Sequence, residues 1–273
     1  MHKVNTIILP AAGLAKRLRP LTNRTPKALV RLNGTPLLSY ILREAGASGI
    51  SEAVVIASLQ HRGYFEKYIA AHAKDFSGIK KIHLRIQEQP LGDGHAVLQA
   101  AEFFGRGPVA VRFPDDLVVD KVFVMKPLIA WHVHTHAPVL LLERVPWESV
   151  SRWGIVDVER ASAPISGVPQ GKGYRLKSFV EKPAREDAPS NLAAVGGYVL
   201  TPEFLSHLKR MGKQLTAEHH DALRLADVFR AMLLRGERAY GYEFSGTRLD
   251  CGTIEGFAHA EAFIKKHKEK FFG

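Results

Sequence analysis

Short apolar runs that alternate with amphipathic stretches constrain this chain more than any other feature. Residues 4–9, 53–58, 82–86 and 109–113 are apolar or β-branched over lengths too short for a core helix, and read as strands. Between them, 37–45, 64–71 and 95–104 carry apolar residues at helical spacing. Such βα alternation predicts an α/β fold, Rossmann-like, with a mostly parallel mixed sheet flanked by helices. Ligands of such sheets gather beyond the carboxyl ends of the strands. The turn after Leu9 and the turn Phe113-Pro114-Asp115-Asp116 both fall at such ends.

The second half is less regular. Residues 139–145, 155–158, 174–181 and 194–200 read as strands, and 204–211, 222–234 and 254–268 as helices. The stretch 162–173 is rich in Gly, Pro and Ser and reads as an exposed loop or hairpin tip. The fold as a whole is expected to carry a small β-rich lid elaboration. No internal repeat, low-complexity segment or dividing linker interrupts the pattern, so the expectation is one domain over 1–273.

With 46% hydrophobic residues the chain can bury a sizeable core, yet no apolar run approaches the roughly 20 residues that span a bilayer. Met1-His2-Lys3-Val4-Asn5 leads directly into a core strand, without a signal-peptide pattern. The single cysteine excludes an intramolecular disulfide and a Cys2His2-type zinc site. These features make a cytoplasmic protein the expectation. The formal net charge of +11 implies anionic partners. Nucleic acid, an anionic membrane surface and a phosphate-rich small substrate are all admissible on charge alone. Part of the excess lies in Lys265-Lys266-His267-Lys268-Glu269-Lys270, a solvated helix end.

The rest is more pointed. Lys16, Arg17, Arg19, Arg24, Lys27 and Arg31 follow the first strand with no acidic residue among them. Small residues at Ala11, Ala12, Gly13 and Ala15 let backbone N–H groups approach a phosphate closely, or merely join strand to helix. The turn is neither a Walker A loop nor Gly-x-Gly-x-x-Gly. Asp115-Asp116 at a strand end suits Mg2+, which shares oxygen ligands with phosphates, or else serves as a turn or cap. Asp250 stands before a helix as a cap residue or a second metal ligand. Glu181-Lys182 ends another apolar strand and suits a sugar phosphate, the Glu accepting hydroxyl bonds and the Lys facing the phosphate, or is an exposed strand end. His132, His134 and His136 would share a face on a strand, as a metal site needs, but they straddle an expected helix-to-strand turn and no carboxylate accompanies them. His219-His220 carries the same discount. Cys251 reads as a small buried residue rather than a nucleophile.

Taken in order, these elements resemble the sugar-nucleotide pyrophosphorylases, or nucleotidylyltransferases, over about residues 7–267. The resemblance rests on Pro10-Ala11-Ala12-Gly13-Leu14, Arg17 with Pro20, Pro26-Lys27, Gln87, Gly92-Asp93-Gly94-His95-Ala96-Val97 and Phe113-Pro114-Asp115. It continues through Trp153-Gly154-Ile155-Val156, Val180-Glu181-Lys182-Pro183, Pro189-Ser190-Asn191-Leu192-Ala193, Gly196-Gly197-Tyr198 and Asp250-Cys251-Gly252. The Gly-His-Ala-Val, Pro-Ser-Asn-Leu-Ala and Asp-Cys-Gly elements point to its uridylyl branch.

The resemblance implies an enzyme that forms UDP-glucose and pyrophosphate from UTP and glucose-1-phosphate, with Mg2+. It implies that the backbone at Ala11, Ala12 and Gly13 holds the nucleotide, and that Arg17 and Lys27 hold its β- and γ-phosphates. Gln87 and the backbone near Gly92 would read the uracil edge. Asp115 and Asp250 would hold the metal. Gly154 and Glu181 would bind glucose hydroxyls, Lys182 would contact the sugar phosphate, and Asn191 would support that pocket. The nucleotide part would occupy about 1–135, and a sugar-binding and oligomerisation part about 136–273. A homodimer or homotetramer is implied, with no nucleic acid and no membrane as partner.

Two departures stand out. Ala15-Lys16 occupies the place where the family has Gly-Thr or Gly-Ser before the arginine, and 216–227 replaces an acidic Asp-Glu-x-Gln-Leu-Thr-Asp run. The first leaves open a catalytically weakened paralogue that binds a UDP-sugar, and the second bears on a subunit contact or pocket wall. Gln87 does not exclude thymine, which leaves open a sister enzyme using dTTP or another sugar-1-phosphate.

Overall fold

The computed structural model describes residues 3–13, 15–161, 172–213 and 222–267, with only the backbone of Lys16 and Arg106. In chain order the elements are β1 (Thr6–Pro10), β2 (Arg31–Leu32), β3 (Thr35–Pro36), α1 (Leu37–Ala47), β4 (Glu52–Ser58), α2 (Arg62–His72) and β5 (Lys81–Gln87). Then come α3 (Asp93–Leu98), β6 (Val109–Arg112), β7 (Asp116–Val119), α4 (Met125–Thr135), β8 (Val139–Arg144), β9 (Gly154–Arg160) and β10 (Gly173–Glu181). The last are β11 (Leu192–Leu200), α5 (Pro202–Gly212), α6 (Leu225–Leu234), β12 (Tyr240–Glu243), β13 (Thr247–Asp250) and α7 (Ile254–Lys266). Two compact units are built from interleaved segments. No described helix is long and apolar enough to cross a membrane.

One unit comprises 5–90, 112–123 and 246–273. Its strands run β5-β4-β1, all parallel, with Pro10 opposite Ile56 and Ser58 opposite Gln87. The carboxyl ends of the three strands therefore lie along one edge, which is where Pro10 opens into the small-residue turn. Ile7, Ile8 and Leu9, with Val54, Val55 and Ile56, are wholly buried. Such full burial stabilises by about 1.5–3 kcal/mol per large side chain. Helix α1 buries Leu37, Leu38, Ile41, Leu42 and Ala45, the i, i+1, i+4, i+5, i+8 stripe its sequence promises. Asn33 and Gly34, at φ +48° and +84°, close β2 onto β3 as a two-residue hairpin. Asn33 Nδ2 then donates to the Glu261 carbonyl of α7 at 3.0 Å.

The other unit comprises 1–4, 91–111 and 124–245. Its order is β6-β11-β8-β12-β10-β9, with β11 also pairing β9. β11 runs antiparallel to β8 and β9, and β10 antiparallel to β9 and β12, whereas β12 and β8 are parallel. The sheet is thus mixed, with its antiparallel pairing concentrated here. Phe229 of α6 lies among the rings of Phe179, Tyr198 and Phe204, at centroid distances of 6.2, 6.0 and 4.9 Å. Thr201 caps α5 by accepting from Phe204 N, and Pro202 fills the first helical position.

Some expectations shift. The helix expected over 95–104 is α3 followed by a 3-10 stretch (Ala101–Arg106), which buries both Phe103 and Phe104. His132 and His134 lie in α4 and His136 caps it at φ +53°, so no strand aligns the three. A helical spacing of two points His132 and His134 to opposite sides. His132 is buried, its Nδ1 lies 3.0 Å from the Ala137 carbonyl, and burial lowers its pKa. His134 and His136 are exposed, which removes the shared face a metal site needs. The loop 162–171, His219-His220, residues 216–221 and the tail from 268 lie outside the described residues.

Candidate active site

The first-named unit carries the expected phosphate and metal residues. Pro10 ends β1, and Ala11 N–H donates to the Ile56 carbonyl at 2.8 Å. Ala11 is thereby tied to the end of β4, while Ala12 and Gly13 follow it out of the sheet. Gly13 is exposed, and a Cβ placed there meets nothing within 4 Å. Ala15 adopts φ +49°, ψ +33°, the left-handed region that costs a non-glycine residue about 1 kcal/mol or more. Its carbonyl accepts from Leu18 N at 3.1 Å and from Thr22 Oγ1 at 3.0 Å, which holds the turn in place. The departure from Gly at this position thus falls on a residue whose backbone suits Gly. Arg17 projects, exposed, from the short 3-10 turn that follows. Gln87 is buried at the carboxyl end of β5.

Pro26 leads into a 3-10 turn (Lys27–Leu29), and Lys27 Nζ donates to Asp115 Oδ2. This pair joins residues 88 apart in sequence. Antiparallel pairing of β7 with β13 places Asp116 directly opposite Asp250. Just outside the ladder, Cys251 N donates to the Asp115 carbonyl at 2.8 Å. Gly252 N donates to Asp250 Oδ1 at 2.9 Å. A Cβ on Gly252 would come within 2.7 Å of Asp250 Oδ1, 3.1 Å of Lys27 Nζ and 3.5 Å of Asp115 Oδ2. Gly252 therefore marks the point where Lys27, Asp115 and Asp250 meet. Asp250 is not the cap of α7; Thr253 is, accepting from Gly256 N at 3.1 Å. Cys251 faces the core, and burial, then the carboxylates of Asp115, Asp116 and Asp250, push its thiol far up. Such a shift disfavours the thiolate, the form a nucleophile needs.

Sequence reasoning passed over Arg112, Glu44 and Arg248. Arg112 is fully buried and donates to the Asp116 carbonyl at 2.9 Å, while its Nε lies 3.2 Å from Glu44 Oε1. Arg248 Nη1 donates to Asp116 Oδ1 at 3.0 Å. The available signal was an arginine closing the apolar run Val109-Ala110-Val111, and another alternating with Asp250.

The second unit carries the expected sugar residues. Glu181 stands opposite Gly154 across β10 and β9. A Cβ on Gly154 would lie 2.5 Å from the Phe179 ring and 3.0 Å from Glu181 Oε2, so only Gly lets Glu181 lie over that strand. Lys182 N donates to the Trp153 carbonyl at 2.9 Å, and Lys182 sits at φ +48°, another left-handed non-glycine at a candidate site. Its ammonium is 3.9 Å from Glu181 and mostly exposed. The Asn191 amide is engaged at both ends: Oδ1 accepts from Arg144 at 2.7 Å and Nδ2 donates to the Val145 carbonyl at 2.8 Å. It acts as a brace between the end of β8 and the start of β11.

Gly92 has a reason within the protein itself. At φ +97°, ψ 174° it occupies a region open essentially to glycine alone, and its Cβ would lie 2.4 Å from the Leu223 carbonyl. Gly94 N donates to that carbonyl, and Leu223 N to the Leu91 carbonyl. Asp93 Oδ1 accepts from Gly94 N at 2.7 Å and Leu225 N at 2.9 Å, although burial raises its pKa. Gly92→Ala should destabilise the protein by about 3 kcal/mol. A urea unfolding midpoint equal to the wild type's would contradict this account.

Residues 5–267 match the family described as Nucleotidyl transferase, and the chain belongs to that family. Among curated relatives, the UTP–glucose-1-phosphate uridylyltransferase of Bacillus subtilis (strain 168) is 31% identical over 274 aligned residues. The alignment covers 94% of this chain and 89% of that relative. Among solved structures, a UDP-glucose pyrophosphorylase complexed with UDP-glucose matches with a TM-score of 0.82 at 28% identity, covering 96% of this chain and 99% of that one. The UTP-bound UGPase from Acinetobacter baumannii matches with a TM-score of 0.79 at 27% identity, covering 98% and 95%.

Proposed function

We propose that this chain is a uridylyltransferase that forms UDP-glucose and pyrophosphate from UTP and glucose-1-phosphate. The observation that carries the reading is the meeting of Lys27, Asp115 and Asp250 around Gly252 in a member of the nucleotidyl transferase family. An oxygen of the sugar phosphate attacks the α-phosphorus of UTP, and pyrophosphate leaves. The attacking group is already an anion, so no strong general base is needed; holding and neutralising two polyanions is the whole task.

The donor set suits Mg2+: two carboxylates, a glycine that keeps the space between them clear, and a thiol turned into the core. Asp115 and Asp250 would hold it. When bound, the ion neutralises charge on phosphoryl oxygens in the transition state. Lys27 brings its ammonium to the same place, and Arg17 extends from the preceding turn toward the β- and γ-phosphates. The backbone from Ala11 to Gly13 carries the nucleotide, with Gln87 and the Gly92 backbone on the uracil edge. Gln suits that edge because its amide both donates and accepts. Gly154 and Glu181 receive the glucose hydroxyls, Lys182 the sugar phosphate, and Asn191 keeps that wall in place. In this reading the chain works as a single nucleotidyltransferase domain. It acts in the cytoplasm, where nucleoside triphosphates are made, and as a homodimer or homotetramer.

Pyrophosphate release measured with glucose-1-phosphate, Mg2+ and each of UTP, dTTP, CTP, ATP and GTP tests the reaction. UTP should be the best substrate; faster turnover with dTTP would make this a sister enzyme, since thymine presents the same polar edge. A second reading, a UDP-sugar-binding protein with weakened turnover, is favoured by the left-handed conformation of Ala15. Tight UDP-glucose binding without turnover on any nucleotide would select it. Gly154→Ala tests the sugar side. The added methyl displaces Glu181 or Phe179 and should raise KM for glucose-1-phosphate about tenfold while leaving KM for UTP alone. Equal increases for both substrates would remove Glu181 from the sugar.

A further inference from the structure

The two carboxylates of the Asp115-Asp116 pair are held quite differently. Asp115 meets Lys27 and faces Gly252. Asp116 stands directly across from Asp250 on the β7–β13 ribbon, so the two side chains share a face. Like charges in that arrangement repel. Arg248, two residues before Asp250 on the same strand and the same face, donates to Asp116 Oδ1 at 3.0 Å. Both side chains are largely buried, 8% and 13% exposed. From the other direction Arg112, anchored on Glu44, donates to the Asp116 carbonyl at 2.9 Å. Asp116 is thus fixed through its carboxylate and its backbone. Asp115 precedes it, and Asp250 faces it.

We propose that Arg248 is a positioning residue for the metal-binding pair Asp115 and Asp250, acting by clamping Asp116 between them. The proposal rests on the function given above. Asp116 is the hinge of the arrangement and not a third ligand. Its carboxylate belongs to Arg248, and among the described residues no group of three or more His, Cys, Asp or Glu side chains is disposed to hold a metal ion. Arg suits this duty better than Lys because its planar fork fixes direction as well as charge.

Charge and geometry make opposite predictions here. Removing the Arg248 guanidinium takes a positive charge away from beside Asp116 and Asp250, which by Coulomb attraction alone tightens cation binding. A positioning role predicts the reverse: Asp116 and Asp250 move apart, and the cation binds more weakly. Partners behind metal ligands typically set metal affinity by 10–100-fold.

The test is a Mn2+ titration of the full-length protein followed by electron paramagnetic resonance, with and without UTP, alongside thermal unfolding. Arg248→Gln should weaken Mn2+ binding about tenfold. Arg248→Lys should recover part of that loss, and it serves as the reporting variant if the Gln variant does not fold. Asp116→Asn, whose amide oxygen still accepts from Arg248, should keep Mn2+ affinity within about twofold. Unchanged or tighter Mn2+ binding in a folded Arg248→Gln or Arg248→Lys variant overturns the proposal. So does a tenfold loss in Asp116→Asn, which would make Asp116 a ligand. Wild-type protein that binds no Mn2+ overturns the functional reading and this inference together, whereas wild-type binding with an indifferent Arg248→Gln overturns the inference alone.

Discussion

Replacing Asp115 with Asn should lower kcat about a thousandfold while leaving the fold intact. Three powers of ten correspond to about 4 kcal/mol of transition-state stabilisation, within what a correctly held metal ion supplies. The substitution conserves volume and leaves the Asp115 carbonyl free to accept from Cys251 N, so the β7–β13 ribbon keeps its closing bond. What disappears is the negative charge facing Gly252. The ion pair with Lys27 disappears as well. That pair is partly exposed, 17% and 30%, so solvent screening limits its worth to roughly 1 kcal/mol. The melting temperature should therefore move little. KM for UTP should change far less than kcat, because Lys27 keeps its charge for the triphosphate. A folded Asp115→Asn protein with wild-type turnover would remove the metal assignment; a collapsed melting temperature would mean that the residue is structural.

The second large effect concerns stability. Arg112→Met should cost about 3–5 kcal/mol, the usual consequence of leaving one member of a buried ion pair behind. Arg112 is 0% exposed and the Glu44 side chain 5%, so removing the guanidinium takes an ion-pair partner from a carboxylate in the core. The Asp116 carbonyl loses a donor in the same step. For a chain of this size the melting temperature should fall by roughly 10 °C. The double variant Glu44→Met/Arg112→Met should recover most of that loss, because a well-packed apolar pair is often no worse than a buried ion pair. Urea unfolding midpoints for the two variants give the answer. Equal destabilisation by both would locate the energy in the bond to Asp116 rather than in the ion pair.

Much of the fold was legible in the chain. The runs around Ile7–Leu9, Val54–Ile56 and Leu84–Ile86 lie in β1, β4 and β5, since apolar runs of that length have few other uses. Helix α4 was foreseen only as the helix side of a turn at its histidines and received no bounds, because Pro127 and several β-branched residues argue against a helix, although proline is tolerated in a first turn. Strands β7, β12 and β13 escaped because four residues containing Asp, Gly or Arg carry little strand signal; pairing partners, not propensity, make them strands. The hairpin at Asn33-Gly34 was legible and was passed over. Among candidate site residues, Gly154 drew notice by family resemblance, whereas the reason for its being glycine, the approach of Phe179 and Glu181, belongs to the strand opposite.

By itself, then, the sequence determined the alternation of strands and helices, the strand ends at which polar residues collect, and a basic run after the first strand. These follow from local periodicity and composition, which act over a few residues. Only the tertiary structure decided that Lys27 pairs with Asp115 across 88 positions, that Asp250 faces Asp116, and that Arg248 and Arg112 hold Asp116 while Asp115 stays turned toward Gly252. Those relations depend on strand register and on burial. Both arise when distant segments compete for the same partners, and neither is encoded in the spacing of any one stretch.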